Sequence, residues 1–446
     1  MTPEILAHGI GGRSDLPVPL WLAVYGGAAA VVVSFAALGA FWRRARFSGA
    51  ESGRPLHPAL QSVLDARLTR AVLSAVGLAL FCVTLVVGVM GASNGSANPA
   101  PTWLYVWFWV GLVPASLLLG PVYKVLNPLR TISRGLFVVA GDRHQERVRS
   151  YPEGLGYWPA AAGLAVFVWT ELVYERASDS ITVVLFIALY SLVQLVLAQR
   201  YGSAWFERGD PFEVYSSLLA RMSWFGRRAE DHRLVLRNPF VGLAALEPAP
   251  GLLPVVTVLL GSTAFDGLSR TQLWNDLIEG RSVISNRLIG TAGLIAAVAF
   301  VVVTYGLAMF LSHRGLRRLD ISTSELQGRF VHSLLPITVG YTVAHYFSLF
   351  VFQGQAGYIL ASDPLSQGDD LFGTSDWQIV YTVVSTAAIA LVQVAAIVGG
   401  HVLGVVAAHD RAVGMFSGRD KSRGQYALLG AMVTYTVGGI ALLVGT

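Results

Sequence analysis

Ten long apolar stretches, at 18–42, 71–92, 103–122, 157–173, 180–198, 251–268, 288–312, 331–352, 377–408 and 426–444, leave this chain almost no way to fold in water. A bilayer core is about 30 Å thick and takes roughly 20 apolar residues per helix. No open sheet edge can be left unpaired in lipid, so runs of this length and character are helices. Composition agrees: 54% of the 446 residues are hydrophobic and 13% are charged, where a soluble chain carries about 25% charged residues. Mean hydropathy is +0.57. The expected fold class is therefore all-α, a polytopic transmembrane helical bundle of about ten spans.

Lys and Arg set the orientation, because cytoplasmic loops retain positive charge. Five alternate loops hold all of the 32 basic residues except Arg13, Arg176, Arg270, Arg281 and Arg287. Those loops lie inside if both termini are extracytoplasmic. The asymmetry would not survive a missed or invented helix. Because the basic residues are spread over short loops with no aromatic-interleaved stripe, the net charge of +5 predicts topology and no nucleic-acid partner.

No segment between the stretches is long enough for a core of its own, so residues 1–446 are expected to form one integral membrane domain. The longest loop, 200–249, suggests a division into five plus five helices, 1–199 and 250–446. Five is odd, so such halves would be inverted, as in many secondary transporters. The halves share only Asn127-Pro128-Leu129 and Asn238-Pro239-Phe240. Segments 58–70 and 212–225 mix apolar and charged residues at helical spacing and are expected in the headgroup plane. The first stretch follows no basic n-region and ends in Trp42-Arg43-Arg44, so it is expected to stay as an anchor. Cys82, the single cysteine, cannot form an intramolecular disulfide and is expected to be a small packing residue.

Walker, dinucleotide, His-Glu-x-x-His and Cys-x-x-Cys motifs are absent. ATP-driven transport by this chain alone is not expected. What remains is polar content inside the helices, where ionisable groups are costly and point to function. At 1.5 Å of rise per residue, Glu171, Asp266, His345 and Gln393 all fall about 20–24 Å from the cytoplasmic face. His401 and Gln194 form a second layer at about 10–12 Å, above His332, His409 and His313. Carboxylate and imidazole exchange protons and ligate divalent metals, so the layers outline a route for a proton or cation.

Structural readings stand beside these. Glu171 and Asp266 are near Arg176 and Arg270 and can pair with them at the outer interface. His345, with Tyr341 and Thr342 on a similar face, can be a hydrogen-bonded packing residue. The row Gly400, Gly404 and Ala408 lets another helix approach closely, which turns His401 toward protein. His409-Asp410-Arg411 reads as a solvated helix end. His345 and His401 could also hold a transition metal or haem, although their depths differ by about 10 Å; a kink at Pro336 or a late start of the ninth helix would narrow the gap. Outside the spans, Asp363, Asp369, Asp370 and Asp376 crowd one loop, and Trp103, Tyr105, Trp107 and Trp109 read as an interfacial aromatic belt.

Taken together, Ala7-His8-Gly9 with Asp15-Leu16-Pro17-Val18-Pro19, Asn127-Pro128-Leu129-Arg130, Ala344-His345-Tyr346 with Gln353-Gly354-Gln355, and Gly400-His401-Val402 resemble uncharacterised bacterial multi-pass membrane proteins. The resemblance runs along most of the chain and implies an inner-membrane location, with no activity attached. The expected function is proton-coupled transport of a small solute or cation, with His345, Asp266, Glu171 and Gln393 as substrate or proton groups, His401 and Gln194 next. The alternatives are a haem- or metal-binding redox or assembly protein using His345 and His401, and a non-catalytic subunit packed against partner membrane subunits.

Overall fold

The computed structural model describes residues 20–47, 53–141, 148–228, 230–316, 321–416 and 424–444. It is all-helical, with 74% helix and 2% strand. Each of the ten apolar stretches contains a helix. Among the described residues, eight helices are long and apolar enough to cross a membrane, the pattern of a multi-pass membrane protein. The other two stretches give Trp158–Leu172, 15 residues, and Tyr426–Val444, 19 residues.

Local chemistry sets the ends. Gly202, at φ 65°, stops the Ser180–Tyr201 helix, because that left-handed backbone costs glycine nothing. The ninth stretch was expected from residue 377, yet its helix is Thr386–Met415. Ser385 caps it by accepting the Ala388 N–H at 3.2 Å, which satisfies one of the orphan donors of the first turn. Pro336 lies in the first turn of Leu334–Leu360, after a short turn at Val331–Ser333. A missing N–H is harmless there.

The described residues fall into two compact units, both discontinuous in sequence. The first draws on Met1–Ala50, Phe240–Leu349 and Tyr381–Thr446. Leu20–Phe41 packs on Thr386–Met415 and Tyr426–Val444, and Leu252–Ser269 packs on Val283–Gly315. Ala23, Ala344, Ile397 and Ile440 form one buried cluster there. Lipid tails are as apolar as these side chains, so close van der Waals contact does the holding. The expected small-residue approach is present: a Cβ on Gly400 would lie 2.6 Å from the Pro336 carbonyl oxygen and 3.1 Å from the Gly340 Cα. Likewise a Cβ on Gly261 would lie 2.5 Å from the Val298 Cα.

The second unit is Glu51–Pro239 with Phe350–Val380. At its centre is the short helix Pro211–Leu219, with all but Ser217 buried. This overturns the headgroup-plane expectation for 212–225. On its apolar side Phe212 alone touches Phe108, Trp109, Phe167 and Tyr190, ring centroids 4.9–6.2 Å away. Its polar residues Glu213, Ser216 and Ser217 share one face, and that face is covered as well, with Glu213 held by Arg130 and Ser216 by Ser116. Pro58–Asp65, by contrast, has no buried residue. Leu60, Val63 and Leu64 are exposed along it. Beside it, Arg54–Pro55, Leu234–Leu236 and Phe225–Arg227 make a small antiparallel sheet with Leu234–Leu236 in the middle. Asp65 ties helix to sheet through Arg227 at 2.7 Å. Cys82 is exposed on its helix and so is not the packing residue expected.

Candidate functional site

Two of the four residues expected in the outer layer meet. Nε2 of His345, on Leu334–Leu360, lies 2.6 Å from Oδ2 of Asp266, on Leu252–Ser269. The side chains are 10% and 7% exposed, so water competes little for the contact. Oδ1 of Asp266 accepts from Arg270 Nη2 at 2.9 Å and Nε at 3.2 Å, one helical turn on, where residues four apart face each other. The interfacial pairing expected for Asp266 and its service to His345 are thus parts of one arrangement. A small cavity of about 20 Å³ touches His345, Tyr341, Ala344, Thr263, Gly267 and Gly439, which is room for one water-sized group.

The neighbours of His345 have other duties. Tyr341 donates its hydroxyl to the Tyr435 carbonyl at 2.6 Å, and Thr342 donates to the Thr338 carbonyl at 2.8 Å. The imidazole is therefore addressed by the carboxylate alone among the bonds just described. Chemically, a permanently charged guanidinium holds one carboxylate oxygen while the other faces an imidazole, the side chain suited to exchanging a proton near neutrality. The carboxylate can accept from that ring whether it is charged or neutral.

The remaining expected residues lie elsewhere. Gln393 is half-buried on Thr386–Met415, and among the described residues no hydrogen bond is recorded between it and the pair. Glu171, half-buried, and Gln194 belong to the other compact unit. Gln194 accepts the Trp205 indole N–H at 2.7 Å. His401 is fully buried. Its Nδ1 is 2.8 Å from the Ile397 carbonyl, one turn back on its own helix, and its Nε2 has no hydrogen-bond partner among the described residues. No group of three or more His, Cys, Asp or Glu side chains suited to a metal ion occurs among the described residues.

His409 and Asp410 are not a solvated helix end. They are 3% and 5% exposed. His409 contacts Gln425 Oε1 at 3.0 Å and the Trp42 carbonyl at 3.1 Å, while Asp410 accepts from Trp42 Nε1 and from the backbone N–H groups of Arg46 and Phe47. The segment that follows the first helix folds back onto them, and burial requires these partners.

Sequence reasoning missed a second buried polar cluster, in the other unit. Arg130 binds Glu213 through two parallel bonds of 2.6 Å, Nε to Oε2 and Nη2 to Oε1, the strong bidentate geometry. Asn127 Nδ2 bridges Glu213 Oε2 at 3.1 Å and Asp210 Oδ2 at 3.0 Å, and Tyr190 donates to Asp210 Oδ1 at 2.8 Å. Asn127 and Asp210 also cap the helices that begin at Pro128 and Pro211, accepting the backbone N–H groups two and three residues on. Burial, reinforced by the charge of Glu213, pushes the Asp210 carboxyl up to about 6. A signal was present: Asn-Pro-Leu-Arg and Asp-Pro-Phe-Glu are two Asx-Pro caps with opposite charges at the same offset. In space Asn127-Pro128 is answered by Asp210-Pro211, not by Asn238-Pro239.

Comparison of the chain with protein-family models, with curated proteins and with solved structures finds no match.

Proposed function

We propose that this is a ten-span bacterial inner-membrane protein, both termini outside the cytoplasm, that moves a small solute or cation at the expense of the proton gradient. His345 is its proton-exchanging group, Asp266 the acceptor that holds it, and Arg270 the fixed charge that holds Asp266. The observation that carries the reading is the 2.6 Å contact between His345 and Asp266, two ionisable groups on different helices, nearly buried and beside a small cavity. Ionisable residues so placed in membrane helices mark ion and substrate routes. Gln393 and His401, on the neighbouring helix, are the next polar groups along the proposed route. Glu171 and Gln194 are candidates for a separate role.

The test uses proteoliposomes loaded with a pH-sensitive dye and challenged with a panel of amino acids and small organic and inorganic cations. Wild type is expected to show a substrate-dependent pH change that His345→Gln and Asp266→Asn both abolish. An unchanged signal in both variants removes the site. A Soret band or stoichiometric iron, copper or zinc in the purified protein replaces transport with the redox or assembly reading.

A further inference from the structure

A second site lies in the other unit and does not depend on the transport reading. A cleft of about 470 Å³ opens among Trp107, Phe350, Gly354, Tyr358, Trp377 and Val380, within the size range of small-molecule sites. Four of these residues are aromatic, and no Lys or Arg lines the cleft. Some of its hydrogen-bonding groups are already committed. The Trp107 indole donates to the Gly354 carbonyl at 3.0 Å. Gln355, also in the lining, accepts from the Val380 N–H at 3.0 Å and donates to the Val380 carbonyl at 3.3 Å.

The loop 361–380 supplies the charge. It carries Asp363, Asp369, Asp370 and Asp376 and no basic residue, and it delivers Trp377 and Val380 to the cleft. Backbone N–H bonds from Gly368 and Gln367 hold the Asp363 carboxyl below the usual carboxylate range. Bonds from the Ser375 N–H and the Ser362 hydroxyl do the same for Asp370. Trp107 itself belongs to a π-helical stretch, Trp103–Val110, a rare geometry that recurs at functional sites. A Cβ on Gly357 would lie 2.9 Å from the Trp107 ring, so the indole is held in place by close contact with the opposite wall.

Aromatic faces attract cations, and the carboxylates of the loop that delivers Trp377 raise the local concentration of cations. A quaternary ammonium has no hydrogen-bond donor to satisfy, and its methyl groups pack on aromatic faces. We propose that this cleft binds a free quaternary ammonium compound of choline size.

The test is calorimetry on the full-length protein in maltoside detergent, titrated with choline, with tetramethylammonium and with 3,3-dimethylbutan-1-ol, the uncharged isostere of choline. Both cations are expected to bind, with the isostere about tenfold weaker or more than choline. Trp377→Leu should weaken choline binding about tenfold, while Trp377→Phe, which restores a π face, retains most of it. Asp376→Asn should weaken it a few-fold at low salt and less at high salt. Failure of choline to bind folded wild type, equal binding of the isostere, or wild-type affinity in Trp377→Leu overturns the proposal. Choline affinity should be equal in phosphatidylglycerol and phosphatidylcholine nanodiscs. Its loss in the latter would make the occupant a lipid headgroup and overturn the free ligand.

Discussion

Replacing Arg130 with Met should destabilise the protein far more than any surface arginine would. Arg130 and Glu213 side chains are 7% and 1% exposed and share two bonds of 2.6 Å. Without the guanidinium, Glu213 keeps one bond from this cluster, from Asn127 at 3.1 Å, and has the Asp210 carboxyl as a neighbour. Lys124, on the helix just before Asn127, is half-exposed and already engaged by Glu207 at 2.7 Å. Breaking a buried pair on one side costs about 3–5 kcal/mol, because an uncompensated charge remains. At about 1.4 kcal/mol per decade this raises the unfolding equilibrium constant by two to nearly four orders of magnitude. Met preserves part of the contact that the guanidinium makes over the Phe206 ring, 5.0 Å from its centroid, so the loss reports charge more than volume. The assay is unfolding in mixed micelles titrated with SDS and followed by tryptophan fluorescence. The double variant Arg130→Met/Glu213→Leu should recover most of the loss, since a buried pair exchanged for apolar groups is often neutral. A single-variant loss below about 1 kcal/mol, or a double variant no better than the single, would refute the reasoning.

Asp210 predicts a pH dependence. Its carboxyl is raised from 3.8 to about 6 in the fold, so its stabilising contribution is complete below pH 4 and is lost as pH rises through 6, about 3 kcal/mol in all. Asp210→Asn should flatten that part of the stability profile between pH 4 and 7, and an unchanged profile would show that Asp210 titrates normally. Gly400→Val should cost about 1–3 kcal/mol by overpacking, since even a Cβ meets the Pro336 carbonyl oxygen at 2.6 Å; the monodisperse yield in detergent reads the effect, and wild-type yield would contradict the close approach.

The helices were legible because each apolar stretch admits no other structure, and the small-residue row at Gly400 correctly announced a close neighbour. Depth counted along the chain was a weaker guide. It joined His345 and Asp266, whose helices do bring them together, but it grouped Gln393 and Glu171 with them on level alone, and level says nothing of which way a helix is turned. The helix carrying Gln393 also runs seven residues beyond the expected end at Ala408, which moves its reference point by about 10 Å. The Pro211–Leu219 helix was misjudged for another reason. Nine residues with one Glu have the same composition whether they lie on a surface or inside a bundle. Only the partner, Arg130, eighty-three residues earlier in the chain, distinguishes the two. His409 and Asp410 show the same limit: their partners come from residues 42–47, and no local pattern announces that.

The tight glycine contacts give the His345 and Asp266 pair a mechanical meaning. His345 rides on a helix seated against Thr386–Met415 at Gly400, and Asp266 on one seated against Val283–Gly315 at Gly261. Backbones in such contact cannot slide past one another without a clash, so each couple is expected to move as a single lever. The hydrogen bond from His345 to Asp266 links the two couples, beside the packing of Tyr426–Val444 on both Val283–Gly315 and Thr386–Met415. A hydrogen bond weakens steeply once stretched or bent, so a displacement of under about 1 Å between the levers is enough to open that bond. The same smallness runs in reverse: under the proposed function, a change of charge at the imidazole is felt first at the contact between two pairs of helices.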